Sequence, residues 1–313
     1  MTAFAFVFPG QGSQSVGMLD AWGDHPAVAS TLAEASAALG QDLASLIHAG
    51  PEDQLALTVN TQLVMLVAGV ANYRAWLAEG GPAPGVVAGH SLGEYSALVA
   101  AGALTLADAV PLVRFRAQAM QDAVPVGAGA MMAILGMDSA QVRHACEQAA
   151  RDSGEVVSAA NYNDPKQTVI AGTRAGVDMA VDLIKRMGAK KAMPLAVSAP
   201  FHCALMKPAA ELLKARLAET PLTTPTIPVI NNIDVAVETD PDRIRDALYR
   251  QAFGPVRWVE LVGALQARGV HHLFECGPGR VLSKMIKRIV PEGTVTGVVL
   301  DPATLAETRG LLA

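Results

Sequence analysis

Aromatic residues are scarce in this chain, cysteines scarcer, and cations too few to outnumber anions. Phe, Trp and Tyr make up 4% of 313 residues. The core must therefore be built from Ala, Val and Leu, which suits close packing of helices on a sheet. The three cysteines, Cys146, Cys203 and Cys276, are odd in number and far apart. With no CxxC pair and no HExxH run they support neither a disulfide framework nor a zinc site, and no metal is expected. Lys and Arg total 24 against 29 Asp and Glu, a formal net charge of −5. A nucleic-acid partner would need a basic face, so that class is set aside. The longest apolar runs, such as 63–71, fall far short of the ~18 residues of a membrane span. The opening MTAFAFVFPGQGSQ holds no early basic residue and reads as a buried first strand, not a signal peptide. A reducing, cytoplasmic setting without a membrane partner is the expectation.

What the chain does have is aliphatic residues: 51% are hydrophobic, ample for a core and incompatible with disorder. Short β-rich runs at 4–8, 86–89, 229–231, 272–275 and 296–299 alternate with helix-like stretches. The stretches are 61–78, 92–101, 106–121, 208–219, 244–251, 259–267 and 281–289. This alternation predicts a mostly parallel sheet with helices on both faces. Thr105 followed by Asp108 has the shape of a capping box at the start of 106–121.

One stretch breaks the rhythm. Strand 131–135, helix 139–151, strand 156–161, a turn at Asn163-Asp164-Pro165, strand 167–171, helix 175–187 and strand 189–195 give the order βαββαβ. That is the ferredoxin-like order. It predicts a small domain at 127–195 inserted into a large domain made of 1–126 and 196–313.

The sharpest local signal is Gly89-His90-Ser91-Leu92-Gly93, directly after an apolar strand and before a helix. Gly-x-Ser-x-Gly permits the strained strand-to-helix turn of a nucleophile elbow, which lifts the serine hydroxyl out at a helix N-terminus. With 28 glycines and 12 serines in the chain, the bare pattern would arise by chance roughly 0.1 times. The alternative is a plain packing turn. Such a serine needs a base. His202 lies in a Pro-fixed loop, Ser198-Ala199-Pro200-Phe201-His202, that can aim it into a cleft. His272, with Asp234 as its acid, is the rival of a hydrolase triad. A structural histidine is the bland reading of each. His90 adjoins the serine but points away on a tight turn. The loop 9–15 lacks the Lys-Ser/Thr of a P-loop and the last glycine of GxGxxG, so it suits an oxyanion donor at a strand tip better than a phosphate.

Arg114 and Arg116 sit two apart in an apolar helix, so only one can face inward. An inward arginine near a nucleophile is a fork for a carboxylate; two solvated charges is the plain reading. Met120 shares a face with Arg116 and either walls the same pocket or fills core. Lys185, Arg186, Lys190 and Lys191, with Lys284, Lys287 and Arg288, are either solvated faces or a patch for an acidic partner.

These residues together resemble the malonyl-CoA:acyl-carrier-protein transacylase family over essentially the whole chain. The landmarks are Phe8 to Gln14, Gly89 to Tyr95, Arg116, Gly127 to Met132, His202 to Met206, Asn231-Asn232 and Glu275 to Gly279. The resemblance implies an α/β-hydrolase-like large domain carrying a ferredoxin-like small one, with the site in the cleft between them. It implies Ser91 as nucleophile, His202 as base, and the N–H groups of Gln11 and Leu92 as oxyanion hole. It further implies that the carbonyl of Gln251 orients the imidazole and that Arg116 binds the malonyl carboxylate. Asn161 would lie near the substrate, and Phe201, before the histidine, would favour malonyl over methylmalonyl. The activity implied is ping-pong transfer from malonyl-CoA to the phosphopantetheine thiol of an acidic acyl carrier protein, in fatty-acid synthesis. No cofactor is bound, the arm being the partner's. A serine hydrolase and a non-catalytic carrier-binding scaffold are the alternatives.

Overall fold

The computed structural model describes residues 3–125, 127–290 and 292–312. Val126, where the large domain is expected to break off, and Met1 and Ala313, its expected ends, lie outside the described residues. Among the described residues nine strands are formed: β1 (Phe4–Phe8), β2 (Val86–Gly89), β3 (Gly129–Leu135), β4 (Val157–Asp164), β5 (Gln167–Thr173), β6 (Lys191–Pro194), β7 (Val229–Ile230), β8 (His272–Cys276) and β9 (Val295–Val299). They form two sheets of opposite character.

The first has the order β7-β2-β1-β8-β9 and is parallel throughout. A parallel sheet needs a crossover after each strand, so helices cover both faces and central strands lose the polar alternation. β1 shows this, with FAFVF buried at every position. Helix Thr58–Ala78 lies between the sheet and helices Pro26–Leu39 and Leu106–Asp122, and is buried on nearly all sides. In register, Phe8 stands beside Gly89, and Val7 beside Glu275. The C-terminal tips of β1, β2 and β8 therefore gather at one edge, where parallel sheets place ligands.

The second sheet is antiparallel, order β4-β5-β3-β6. Its helices, Ser139–Ser153 and Arg174–Arg186, pack through Val142, Cys146, Val177, Ile184 and their neighbours on one face. The pattern is that of the split βαβ. The chain enters and leaves this sheet at one place: a Cβ on Gly129 would stand 2.5 Å from the ring of Pro200. The β4 edge is then bonded to the segment after helix Pro241–Phe253. Tyr162 N–H donates to Val256 O at 2.9 Å and Val256 N–H to Ala160 O at 2.8 Å. Arg288 Nε donates to Asp164 Oδ2 at 2.6 Å, a carboxylate only 4% exposed. Between the sheets lies a cleft of about 170 Å³.

Candidate active site

The turn after β2 is fixed by steric exclusion. A Cβ on Gly89 would come within 1.9 Å of the Gly93 carbonyl carbon, and one on Gly93 within 2.0 Å of Phe8 O. Both positions therefore admit only glycine. Between them Ser91 is held at φ 51°, in the left-handed region that a side chain rarely occupies. The strain persists because Asn232 straps the turn. Its Oδ1 accepts the Ser91 N–H at 2.7 Å, and its Nδ2 donates to Gly89 O at 2.6 Å. Helix Gly93–Ala100 starts two residues later, so its N-terminus faces the hydroxyl.

His202 is also left-handed, φ 60°. Its Nε2 lies 2.7 Å from Ser91 Oγ. On the far side Nδ1 meets two carbonyls, Gln251 O at 3.0 Å and Gly254 O at 3.1 Å. Carbonyls only accept, so Nδ1 carries the proton and the Nε2 lone pair points at the serine. Burial first, and the Arg116 charge second, push His202 down to about 3. The ring is thus neutral at ordinary pH and able to take the serine proton.

Arg116 is 1% exposed, whereas Arg114 is half-buried and donates to Asn60 and Gln41. Arg116 donates to Gln62 Oε1 at 2.5 Å, to Gln251 Oε1 at 3.2 Å and to Ser91 Oγ at 3.3 Å, while its Nε has no partner. The Tyr95 ring stands 5.4 Å from its guanidinium carbon. Among the described residues no carboxylate pairs with it within salt-bridge distance. A buried cation with only neutral partners is set to receive an anion.

The cleft is lined by Gln11, His90, Ser91, Arg116, Asn161, Asn163, Phe201 and His202, with Met131, Leu195, Val281 and Met285 as apolar walls. The N–H groups of Gln11 and Leu92 make no hydrogen bond among the described residues, and both lie at the tips of the parallel strands. His90 is engaged elsewhere, with Nε2 2.9 Å from Asn163 Oδ1. Met120 does not wall the cleft. It is buried behind Gln62, whose Nε2 approaches its sulfur at 4.0 Å.

The rival triad is not assembled. His272 opens β8 opposite Phe4, at the end of the sheet away from Ser91, roughly 13 Å off by strand rise alone. Asp234 is bound in bidentate fashion by Arg250 at 2.7 and 2.6 Å. Of the surface cations, Lys284 and Lys287 line, with Arg280, a groove of about 400 Å³ beside the cleft wall, whereas Arg288 is committed to Asp164. Lys185, Arg186, Lys190 and Lys191 are exposed on the second sheet's side. No group of three or more potential metal ligands exists among the described residues, and none of their helices is long and apolar enough to cross a membrane.

Three participants carried no chemical signal in the sequence. Gln62 holds Arg116 from a mostly apolar helix, where one more buried amide stands out in no way. Asn232 and Glu94 stand inside quoted landmarks, but nothing in an Asn-Asn pair or a Gly-Glu pair announces a strap for the elbow. The Glu94 carboxylate accepts from Asn232 N–H and Gln251 Nε2, both at 2.9 Å.

Residues 5–303 match the model of the acyl transferase domain family. The chain is 54% identical over 308 residues to the malonyl CoA-acyl carrier protein transacylase of Escherichia coli K12, covering 98% of each. It superposes with a TM-score of 0.96 on an acyl-carrier-protein S-malonyltransferase from Burkholderia pseudomallei, at 58% identity and covering 99% of this chain and 100% of the other. A malonyl-transacylase solved in complex with its type II PKS acyl-carrier protein gives 0.96 at 48% identity, covering 99% and 100%.

Proposed function

The chain belongs to the acyl transferase family, and from that premise we propose that Ser91 carries a malonyl group from malonyl-CoA to the phosphopantetheine thiol of an acyl carrier protein. The observation that carries this reading is one hydroxyl touched from two sides, by a neutral imidazole at 2.7 Å and by a buried guanidinium at 3.3 Å. The first activates an attacking oxygen; the second selects an acyl group that ends in a carboxylate.

In the first half-reaction His202 Nε2 takes the Ser91 proton as Oγ attacks the thioester carbonyl. The carbonyl oxygen, now negative, is met by the N–H groups of Gln11 and Leu92. The C–S bond breaks and CoA leaves with the proton from His202. In the second half the carrier thiol gives its proton to His202 and attacks the malonyl ester, and Ser91 leaves reprotonated. Thioester becomes ester and then thioester again, so no bound cofactor is needed. The carbonyls of Gln251 and Gly254 hold the imidazole where a triad would place an acid. Hydrolysis of the acyl-serine competes, and the narrow apolar walls of the cleft suppress it. Phe201 and Asn161 bound the space beside the acyl chain.

Acetyl-CoA would leave Arg116 buried without its anion, a penalty on the order of 2–5 kcal/mol. The acidic carrier docks on the cations beside the cleft, Arg280, Lys284 and Lys287, and the setting is the cytoplasm. The domain division follows the two sheets, 1–126 with 196–313 around 127–195. Intact-mass measurement after mixing with malonyl-CoA, acetyl-CoA and methylmalonyl-CoA separately tests the whole reading. A malonyl adduct is expected on the native chain and none on Ser91→Ala; an adduct surviving that change, or free malonate without acyl carrier, overturns it.

A further inference from the structure

Arg116 is a buried cation whose direct partners are all neutral. The nearest anionic group in its hydrogen-bond chain is Glu94, 2% exposed, one side-chain amide away. Arg116 Nη2 donates to Gln251 Oε1 at 3.2 Å, and Gln251 Nε2 donates to Glu94 Oε2 at 2.9 Å. The same Gln251 Nε2 also reaches Ser91 O at 3.0 Å, and its carbonyl holds His202. One glutamine side chain thus joins cation, carboxylate and nucleophile. An amide polarised between a donor cation and an acceptor anion carries their attraction across itself.

We propose that Glu94 is the resident counter-charge of Arg116 in the empty site, and that it yields this role by taking up a proton when an acyl carboxylate arrives. This deepens the reading above and rests on it. Two anions cannot share one buried cation at low dielectric without one of them being neutralised. The incoming carboxylate contacts the guanidinium directly, so Glu94, held through an amide, is the one that protonates. Only one O–H bond forms, at a Glu94 oxygen, with the proton drawn from solvent. A small cavity beside Glu94, lined also by Asn231 and Glu238, opens on the side away from the substrate. Asn231 Nδ2, at that cavity, has no partner. Acetyl groups bring no charge and need no such proton.

The groups facing Glu94 are few. Helix Leu106–Asp122 presents Arg116, whose own far partner is neutral Gln62 of helix Thr58–Ala78. The segment after β7 brings Asp234 and Glu238, the first tied to Arg250 and the second to Arg243. Helix Pro241–Phe253 presents Gln251, Tyr95 follows on the same helix as Glu94, and His202 stands beyond Gln251. Burial, opposed by the hydrogen bonds and Arg116, raises Glu94 to about 7. The sign follows. Below pH 7 the carboxyl already holds its proton and malonyl binds freely. Above it, binding must draw a proton, so kcat/KM for malonyl-CoA falls as pH rises, toward about tenfold per unit.

Glu94→Gln tests this, because an amide oxygen can still accept from both Asn232 and Gln251. The wild type is expected to lose roughly tenfold in malonyl-CoA kcat/KM between pH 7 and 8.5. Glu94→Gln, and wild type with acetyl-CoA, are expected to stay flat there. A malonyl limb kept unchanged in Glu94→Gln means Glu94 only braces the turn and overturns the proposal. Should that variant fold poorly, the wild type alone decides. In weak buffer at pH 7.5, malonyl-CoA and not acetyl-CoA should cause proton uptake on acylation, and equal signals would reject the idea. The malonyl-Ser91 adduct, read by intact mass in the same samples, keeps failure of this step apart from failure of the reaction assignment.

Discussion

At the scale of single residues, the selectivity proposed for this site rests on what surrounds Arg116. Its guanidinium is fixed by Gln62 and Gln251 and stacked near Tyr95, so it cannot swing out to solvent when the acyl group lacks a charge. Arg116→Ala is therefore expected to lower the malonyl-to-acetyl preference by a factor on the order of 10², measured as the ratio of kcat/KM values. An unchanged ratio would show that selection lies elsewhere in the cleft. Much of this site could be read in the sequence, because glycine at two positions around a serine is a steric statement. Without the resemblance His202 has only an edge over His272 there, since both adjoin apolar runs and the edge rests on the Pro-fixed loop alone. The separation comes from the sheet, which puts β8's first residue at the wrong end. Gln251 acts on the imidazole through its backbone carbonyl, a group every residue has, and only the resemblance pointed to it. Glu94 gives no functional signal in the sequence, because a glutamate in the first turn of a helix has an ordinary reason to be there.

Elements show a different balance. Alternation of β-rich and Ala/Leu-rich runs placed the strands of both sheets to within a few residues, and the shift from parallel to antiparallel is visible as the order βαββαβ. Helices Pro26–Leu39, Leu43–Ala49, Glu52–Ala56 and Pro302–Gly310 were not foreseen. Pro26–Leu39 is Ala- and Ser-rich with weak periodicity, although Pro at its first turn and left-handed Gly40 at its end are proper signals. The Thr105–Asp108 pair caps its helix, but only the Thr105 side chain meets a backbone N–H; the second half of a capping box is not made. A larger device lies at the end of β8. Glu275, fully buried, accepts from the N–H groups of Val281, Leu282 and Ser283 at 3.1, 3.1 and 2.8 Å. It seals the start of helix Val281–Ile289, whose Val281, Leu282 and Met285 wall the cleft. Glu275→Ala would strand these donors and should cost about 3 kcal/mol in urea unfolding. A midpoint equal to that of the native chain would show that the helix needs no seal.

For the whole molecule, charge is distributed rather than balanced. The net charge is −5, yet Arg280, Lys284 and Lys287 line one groove beside the cleft, with Glu307 as its one carboxylate. An acidic carrier drawn there would feel a screened attraction, so its KM should rise severalfold from 50 to 500 mM salt, by the shortening of the Debye length. In the double variant Lys284→Ala, Lys287→Ala the slope should be shallower. A carrier KM that ignores salt in the native chain would place docking on another face. The insertion of one sheet into another was legible in outline. The clasp that closes it, Arg288 on Asp164, was not, because a lone Asp in a turn and a lone Arg on a helix have no visible partner 124 residues apart.

The adjacency of Gly129 and Pro200 has a mechanical meaning. The two passes of chain between the sheets run side by side at this point, while the far edge of the second sheet is sewn to the first domain by the Val256 backbone bonds, by Asn163 on His90 and by Arg288 on Asp164. An insert tied down at both edges is a buttress and not a flap. Asn161, on that buttress, is thereby held at a set distance across the cleft from Ser91.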